Sequence, residues 1–291
     1  MDAPFTAVAR AKLNLYLHVV GRRADGYHLL DTLVAFAGIG DTVAVRPAHT
    51  LALIVDGPFA NAVPTGDDNL VLRAARALAA AAGVAPRAEI RLTKTLPVAS
   101  GIGGGSADAA AALKLLSSLW DLDAGRRTLR EVAATLGADV PMCLEAHPVF
   151  AGGIGADVTL APALPPVWVV LVNAGAPVLT AAVYRRRAGP FSTADRFTEV
   201  PADAAVLAGL LATRRNDLTG PALAECPVIA DVLAALEASP GTLLARMSGS
   251  GGTCFAIFAT DAEAAAASRN LAAAHPRWWI AAAPLVGSSR R

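Results

Sequence analysis

The segment that most limits what this chain can become is KTLPVASGIGGGSADAAAALKLLSSLW, residues 94–120, where a strand end runs through a glycine-rich loop straight into a helix-forming stretch. Alanine and leucine dominate its second half, and both favour helix. Gly101-Ile102-Gly103-Gly104-Gly105-Ser106 therefore sets several backbone N–H groups beside the positive end of a helix dipole, an arrangement suited to phosphate. Glycine removes the Cβ that would block unusual backbone angles and close approach to phosphate oxygens. Ser106 adds a hydroxyl for phosphate or for a bound magnesium ion. Spacing excludes two commoner designs, since the loop lacks both the Gly-Lys-Ser/Thr ending of a P-loop and a GxGxxG run. Taken by itself, the loop also has a blander reading, a turn whose glycines only cap and bend.

Around this segment the hydrophobic pattern alternates between strand and helix. Leu13, Leu15, Leu17 and Val19 alternate with Lys12, Asn14, Tyr16 and His18, the two-residue period of a half-buried strand. Further strands are expected at 41–46, 51–55 and 89–93, and helices from Asn69 and over 126–136, the latter stopped by Gly137. The second half carries strand candidates at 167–172, 243–247, 254–259 and 278–283 among alanine- and leucine-rich helices. Proline-rich connections at 161–166 and 188–191 place a domain boundary near residue 160. The expectation is a two-domain α+β protein, 1–160 and 161–291, whose last segment returns to the first domain.

Bulk properties narrow the partners. With 291 residues, 54% of them hydrophobic, the chain can bury a large core. Its 25 basic side chains nearly balance 24 acidic ones, so no broad field favours nucleic acid or an anionic membrane, and an anionic ligand must be held by local geometry. Cys143, Cys226 and Cys254 form no CxxC pair, which fits a reducing cytoplasm. The N-terminal stretch lacks the pattern of a secretory leader, and the longest apolar run, PPVWVVLV, is too short to span a bilayer.

Several polar residues carry two readings each. Lys12 and Asn14 share the polar face of the first strand, where a surface lysine is as natural as a working one. Asp139, between Gly137 and Pro141, is placed to cap a short helix or to offer a carboxylate. Tyr27 and His28 follow Gly26 in a turn, and an aromatic with an imidazole can stack on and hydrogen-bond to a pyrimidine. Asn69 suits a helix N-cap, Lys94 reads as a solvated lysine beside a turn that could still reach a nucleotide, and Tyr184 reads as packing at a domain edge. His18, His49, His147 and His275 are dispersed without metal-ligand spacing.

Four segments in order remove much of this ambiguity. Pro97-Val98-Ala99-Ser100-Gly101-Ile102-Gly103-Gly104-Gly105-Ser106-Ala107 resembles the central phosphate loop of the GHMP kinases, named for galactokinase, homoserine kinase, mevalonate kinase and phosphomevalonate kinase. Residues 11–17 and 21–28 are similar to the opening of the branch that phosphorylates a cytidine diphosphate-linked methylerythritol in non-mevalonate isoprenoid synthesis. Residues 247–255 and 136–141 resemble its C-terminal glycine-rich motif and its catalytic-aspartate segment. Two departures stand out: Ile102 replaces a usual leucine, and Gly152-Gly153 replaces a more polar pair.

The resemblance implies an N-terminal mixed-sheet domain and a ferredoxin-like C-terminal domain. It implies ATP and magnesium as cofactors, with Asp139 as general base and Lys12 as catalytic cation. It places ATP against Asn69, Lys94, Pro97 and Ala99 through Ala107, and the substrate against Asn14, Tyr27, His28, Asp139, Thr180 and Tyr184. It further implies a cytoplasmic monomer or weak homodimer acting on a small molecule. A nucleotide-binding regulator that has lost its chemistry is the alternative, disfavoured by the presence of Lys12, Asp139 and Ser106 together.

Overall fold

The computed structural model describes residues 4–122, 125–145, 147–155 and 157–286. In chain order they form β1 (Phe5–Arg22), β2 (His28–Arg46), β3 (Ala52–Asp56), α1 (Leu70–Ala82), β4 (Glu89–Thr93), α2 (Gly104–Leu119), α3 (Arg126–Leu136), α4 (Val140–Cys143), β5 (Val149–Gly153) and β6 (Asp157–Leu160). They continue as β7 (Trp168–Asn173), α5 (Thr180–Arg186), α6 (Ala204–Ala212), α7 (Thr219–Glu225), α8 (Val228–Glu237), β8 (Leu244–Met247), β9 (Thr253–Phe258), α9 (Asp261–Ala274) and β10 (Trp279–Val286). Two compact units result. The first holds Ile39–Val98, Gly103–Glu145 and the start of β1 through Ala11; the second holds Lys12–Gly38, Ala99–Ile102 and the chain beyond Glu145.

In the first unit β4 lies parallel to β3, with Leu53 opposite Ile90, and antiparallel to the end of β2, with Val43 opposite Leu92, giving the expected mixed sheet. Helix α1 starts where the Asn69 side chain accepts from the Val71 N–H, and it ends at Gly83, whose φ of +67° is cheap only without a Cβ. Its apolar stripe, Val71, Ala74, Ala75 and Leu78, joins Leu113 and Leu116 of α2 and Ile90 and Leu92 of β4 in one core. Each such large side chain, fully buried, contributes roughly 1.5–3 kcal/mol. The run of small residues Ala109 to Ala112 belongs to the same core, so α2 packs closely along most of its length.

In the second unit β8, β9, β7 and β10 form an antiparallel sheet, and the end of β10 continues onto β2 through Leu285 opposite Ala37. Alternate residues Val170 and Val172 of β7 and Cys254, Ala256 and Phe258 of β9 meet Ile229, Val232 and Leu236 of α8 and Ala264, Ala267 and Leu271 of α9. Two helices on one face of an antiparallel sheet is the ferredoxin-like arrangement expected, and the fold is α+β.

Two sequence expectations change, and two strands went unread. Strand β1 is buried on both faces, because Lys12, Asn14, Tyr16 and His18 are all under 7% exposed along with the leucines. The polar face tolerates burial because its groups are hydrogen-bonded. Strand β2 begins at His28, thirteen residues before the expected 41–46 strand, since its doubly buried run Leu33–Ala37 shows no alternation and Gly38 and Gly40 look like breakers. Gly40 is instead a close approach: a Cβ there would lie 2.1 Å from the Ala9 carbonyl oxygen. Strands β5 and β6, of five and four residues, were too short to read from the sequence, and β5 ends in two glycines.

Candidate active site

Within the second unit, β1 carries a polar ladder. Lys12 Nζ donates to Asn14 Oδ1 at 2.9 Å, and Asn14 Nδ2 donates to Thr32 Oγ1 at 2.9 Å. The Asn14 backbone N–H donates to Ser248 Oγ at 3.1 Å, and that hydroxyl donates to the Gly101 carbonyl at 3.1 Å. Lys12 is 4% exposed, so the surface-strand reading of it fails, and the Lys12 N–H donates to the Ile102 carbonyl at 2.8 Å. Strand β1, the glycine-rich loop and the 248–252 turn thus brace one another.

That turn needs its glycines. Gly249, Gly251 and Gly252 all have positive φ, and a Cβ on Gly252 would lie 3.1 Å from Ser100 Cα. Gly101 combines a φ of +77° with neighbours so close that a Cβ would lie 2.4 Å from the Gly251 carbonyl oxygen and 2.6 Å from that of Ser248. Gly101→Ala is therefore expected to displace the 248–252 turn and lower kcat/KM for ATP about tenfold or more, read by steady-state kinetics; unchanged kinetics would refute the tight packing. Ala99, with φ of +52°, holds a conformation costing about 1–2 kcal/mol for a residue with a Cβ, so the loop stores strain where phosphate chemistry is expected.

A second cluster in this unit is aromatic. The rings of His28 and Tyr184 stack with centroids 5.2 Å apart and planes 28° from parallel, while Tyr27 is 65% exposed. Burial lowers the His28 pKa, and Arg22 and Arg187 add to the shift, so its imidazole is neutral near pH 7 and can both donate and accept. Thr180, at the first position of α5, shares a 2.7 Å hydrogen bond with Ser250 of the glycine turn. His28 and Tyr184 thus meet, Thr180 is held to the glycine turn, and Tyr27 is exposed.

In the first unit, α2 opens at Gly103, whose φ is +64° and which supplies no side chain to satisfy the first-turn N–H groups. Gly104, Gly105 and Ser106 form that turn, Ala107 is buried, and Pro97 is buried ahead of the loop. Asn69 is 3% exposed and, besides capping α1, donates from Nδ2 to the Pro64 carbonyl at 2.7 Å. Asp139 precedes α4 with helical dihedrals and makes no side-chain cap, so the capping reading of it fails.

Lys94 departs most from expectation. It is 3% exposed, and Nζ donates to Asp41 Oδ2 at 2.5 Å and Asp108 Oδ2 at 2.8 Å. Burial alone would lower its pKa, but Asp108 and Asp41 outweigh that and raise it, so this lysine is a fixed cation and not a solvated one. A Cβ on Gly104 would sit 3.3 Å from that nitrogen, which places the cation beside the first turn of α2. Sequence reasoning missed Asp41 and Asp108, and also Arg246, whose buried guanidinium donates to the carbonyls of Leu15, Leu211 and Arg214 and whose pKa burial pushes down to about 10. Their partners are distant in sequence, so no local pattern marks them.

A helix start with no side-chain cap behind a strained glycine loop, in a chain with a mixed-sheet unit and a ferredoxin-like one, defines a small-molecule kinase of the GHMP class. The pattern described as GHMP kinases N terminal domain matches residues 69–147, and that described as GHMP kinases C terminal matches residues 202–277. The 4-diphosphocytidyl-2-C-methyl-D-erythritol kinase of Paramagnetospirillum magneticum is 57% identical over 97% of this chain and 99% of its own length. Its counterpart in Rhodospirillum rubrum is 50% identical over 97% and 93%. A crystal structure of 4-(cytidine 5'-diphospho)-2C-methyl-D-erythritol kinase matches with a TM-score of 0.77 at 35% identity, covering 98% of this chain and all of that one. The chain belongs to this kinase family. Homoserine kinase from Cytophaga hutchinsonii, with the same TM-score of 0.77 at 16% identity, shares the fold.

Proposed function

We propose that this enzyme transfers the γ-phosphoryl group of ATP to the 2-hydroxyl of 4-diphosphocytidyl-2-C-methyl-D-erythritol, giving the 2-phosphate and ADP in non-mevalonate isoprenoid synthesis. The observation that carries the substrate choice is the His28–Tyr184 stack, a flat aromatic step with a neutral imidazole, in a chain whose relatives bear that substrate in their names. Phosphoryl transfer asks a protein mainly for alignment and charge neutralisation. The first-turn N–H groups of α2 and the loop from Ala99 to Ser106 cradle the phosphates. Asp139 accepts the proton of the 2-hydroxyl as it attacks phosphorus, and Lys12, held by Asn14, offsets charge on the transferring group.

Asn69, Lys94 and Pro97 line or support the nucleotide site, and Tyr27, His28, Thr180 and Tyr184 hold the cytidine end. Ser106 would offer its hydroxyl to a magnesium ion bound with ATP, which would neutralise phosphate charge; among the described residues no three His, Cys, Asp or Glu side chains converge as a resident site. The enzyme acts in the cytoplasm as a monomer or weak homodimer; among the described residues no helix is long and apolar enough to cross a membrane. Coupled ADP release should show kcat/KM about a hundredfold or more higher for the cytidine-linked alcohol than for mevalonate or homoserine. Turnover of only mevalonate or homoserine would overturn the substrate and leave the kinase class intact.

A further inference from the structure

We propose that Asp31 and Arg196 are positioning residues for the pyrimidine end of the substrate site, an inference that rests on the cytidine reading above. Between α5 and α6 the chain runs irregularly as a strap over the second unit. At its start, α5 presents Tyr184 to His28. Further on, the strap is fastened: the Ser192 N–H donates to the Val19 carbonyl at 2.9 Å, and His18 Nδ1 donates to the Thr193 carbonyl at 3.1 Å. The fastening on the strand that carries His28 is Asp31, three residues further along β2. Its Oδ2 accepts from the Asp195 N–H at 3.0 Å and the Tyr16 hydroxyl at 2.9 Å, and its Oδ1 accepts from Arg196 Nε at 2.6 Å.

Asp31 is 1% exposed, so its charge depends on these partners, and Arg196 is the only cation among them. The guanidinium does more than neutralise. Its Nη1 donates to Thr159 of β6 at 3.2 Å, and its plane lies over the Phe150 ring of β5 at 5.4 Å. The room for it comes from Gly152, opposite Asp31 in the β2–β5 register, where a Cβ would lie 2.8 Å from Arg196 Nη2. Gly152 has no positive φ, so space and not backbone conformation is what its missing side chain provides. Gly152, the first of the unusual glycine pair, thus has a role: it admits the arginine that ties the strap to the strand bearing His28.

The consequence is a selective defect. Thr32, next to Asp31, accepts from Asn14, so the strand segment holding the strap also meets the partner of Lys12, yet Arg196 itself touches none of the proposed phosphate-binding residues. Arg196→Ala is expected to raise KM for the cytidine-linked alcohol about tenfold while kcat and KM for ATP stay within about twofold. Arg196→Lys, keeping the charge, should bring KM back within about threefold of the parent. Gly152→Ala should raise the same KM by displacing the guanidinium, and Gly152→Ala with Arg196→Ala together should be no worse than Arg196→Ala alone.

Circular dichroism and thermal melting would first establish that each variant is folded. Wild-type KM in Arg196→Ala, additive effects of the two substitutions, or a loss spread equally over both substrates would each overturn the proposal. Failure of the parent enzyme to turn over the cytidine-linked alcohol would instead overturn the substrate reading, so the two failures are separable.

Discussion

Replacing Asp139 by asparagine should lower kcat by roughly 10²- to 10⁴-fold, the range general-base catalysis contributes, while the Kd for a non-hydrolysable ATP analogue changes little. The side chain has no competing structural duty as a cap: it precedes α4 with φ −84° and ψ −17° and leaves that helix uncapped by its carboxylate. It is half-buried. Asparagine keeps its size and one acceptor oxygen but cannot take a proton, so a hydroxyl bound beside it must ionise unaided. Single-turnover ADP formation, with calorimetric titration of the analogue, separates chemistry from binding. Unchanged turnover would remove Asp139 from the reaction, and lost binding with normal turnover at saturation would make it a binding residue.

The sequence made the fold legible where a local pattern is one-sided or punctuated. Helix α3 falls at 126–136 and β4 at 89–93 as expected, because each has its own period and clear stops. Strand β1 was found from its alternation, but its meaning was half visible. Alternation reports residue type, whereas burial of Lys12 and Asn14 depends on Thr32 and Ser248, which arrive from elsewhere in the chain. The glycine-rich loop and the helix after it were legible because the glycines and the helix-forming run are contiguous. The clusters around it were not. Asp41 and Lys94 lie 53 positions apart and Asp31 and Arg196 165 apart, and pairing at such separations leaves no trace in composition or spacing. Lys94 shows the cost: a lysine at a strand end beside a turn looks solvated by every local rule, yet two carboxylates make its burial tolerable.

The largest expected effect on stability follows from that pair of carboxylates. Lys94→Met should destabilise the protein by about 3–5 kcal/mol, the usual cost of stranding a buried charge. Asp41 is fully buried, and its Oδ1 also accepts from the N–H groups of Thr95 at 2.6 Å and Leu96 at 2.9 Å, so it holds the turn leading into the glycine-rich loop. Asp108 sits in the first turns of α2 with Oδ1 buried and unpartnered. One ammonium cannot neutralise both carboxylates. Burial raises the Asp108 pKa from 3.8 to about 7, with Lys94 opposing and Asp41 reinforcing the rise. A raised pKa means the folded state holds the proton more tightly than the unfolded one. The contribution of Asp108 is therefore full below pH 3.8 and is lost as pH rises through about 7. Urea midpoints measured from pH 5 to pH 8 should fall more steeply in the parent than in Asp108→Asn. Without the ammonium, which opposes the rise, Asp108 favours protonation still more strongly, so the Lys94→Met deficit should be larger at pH 8 than at pH 5. A deficit independent of pH would mean that Lys94 acts by packing its stem and not by its charge.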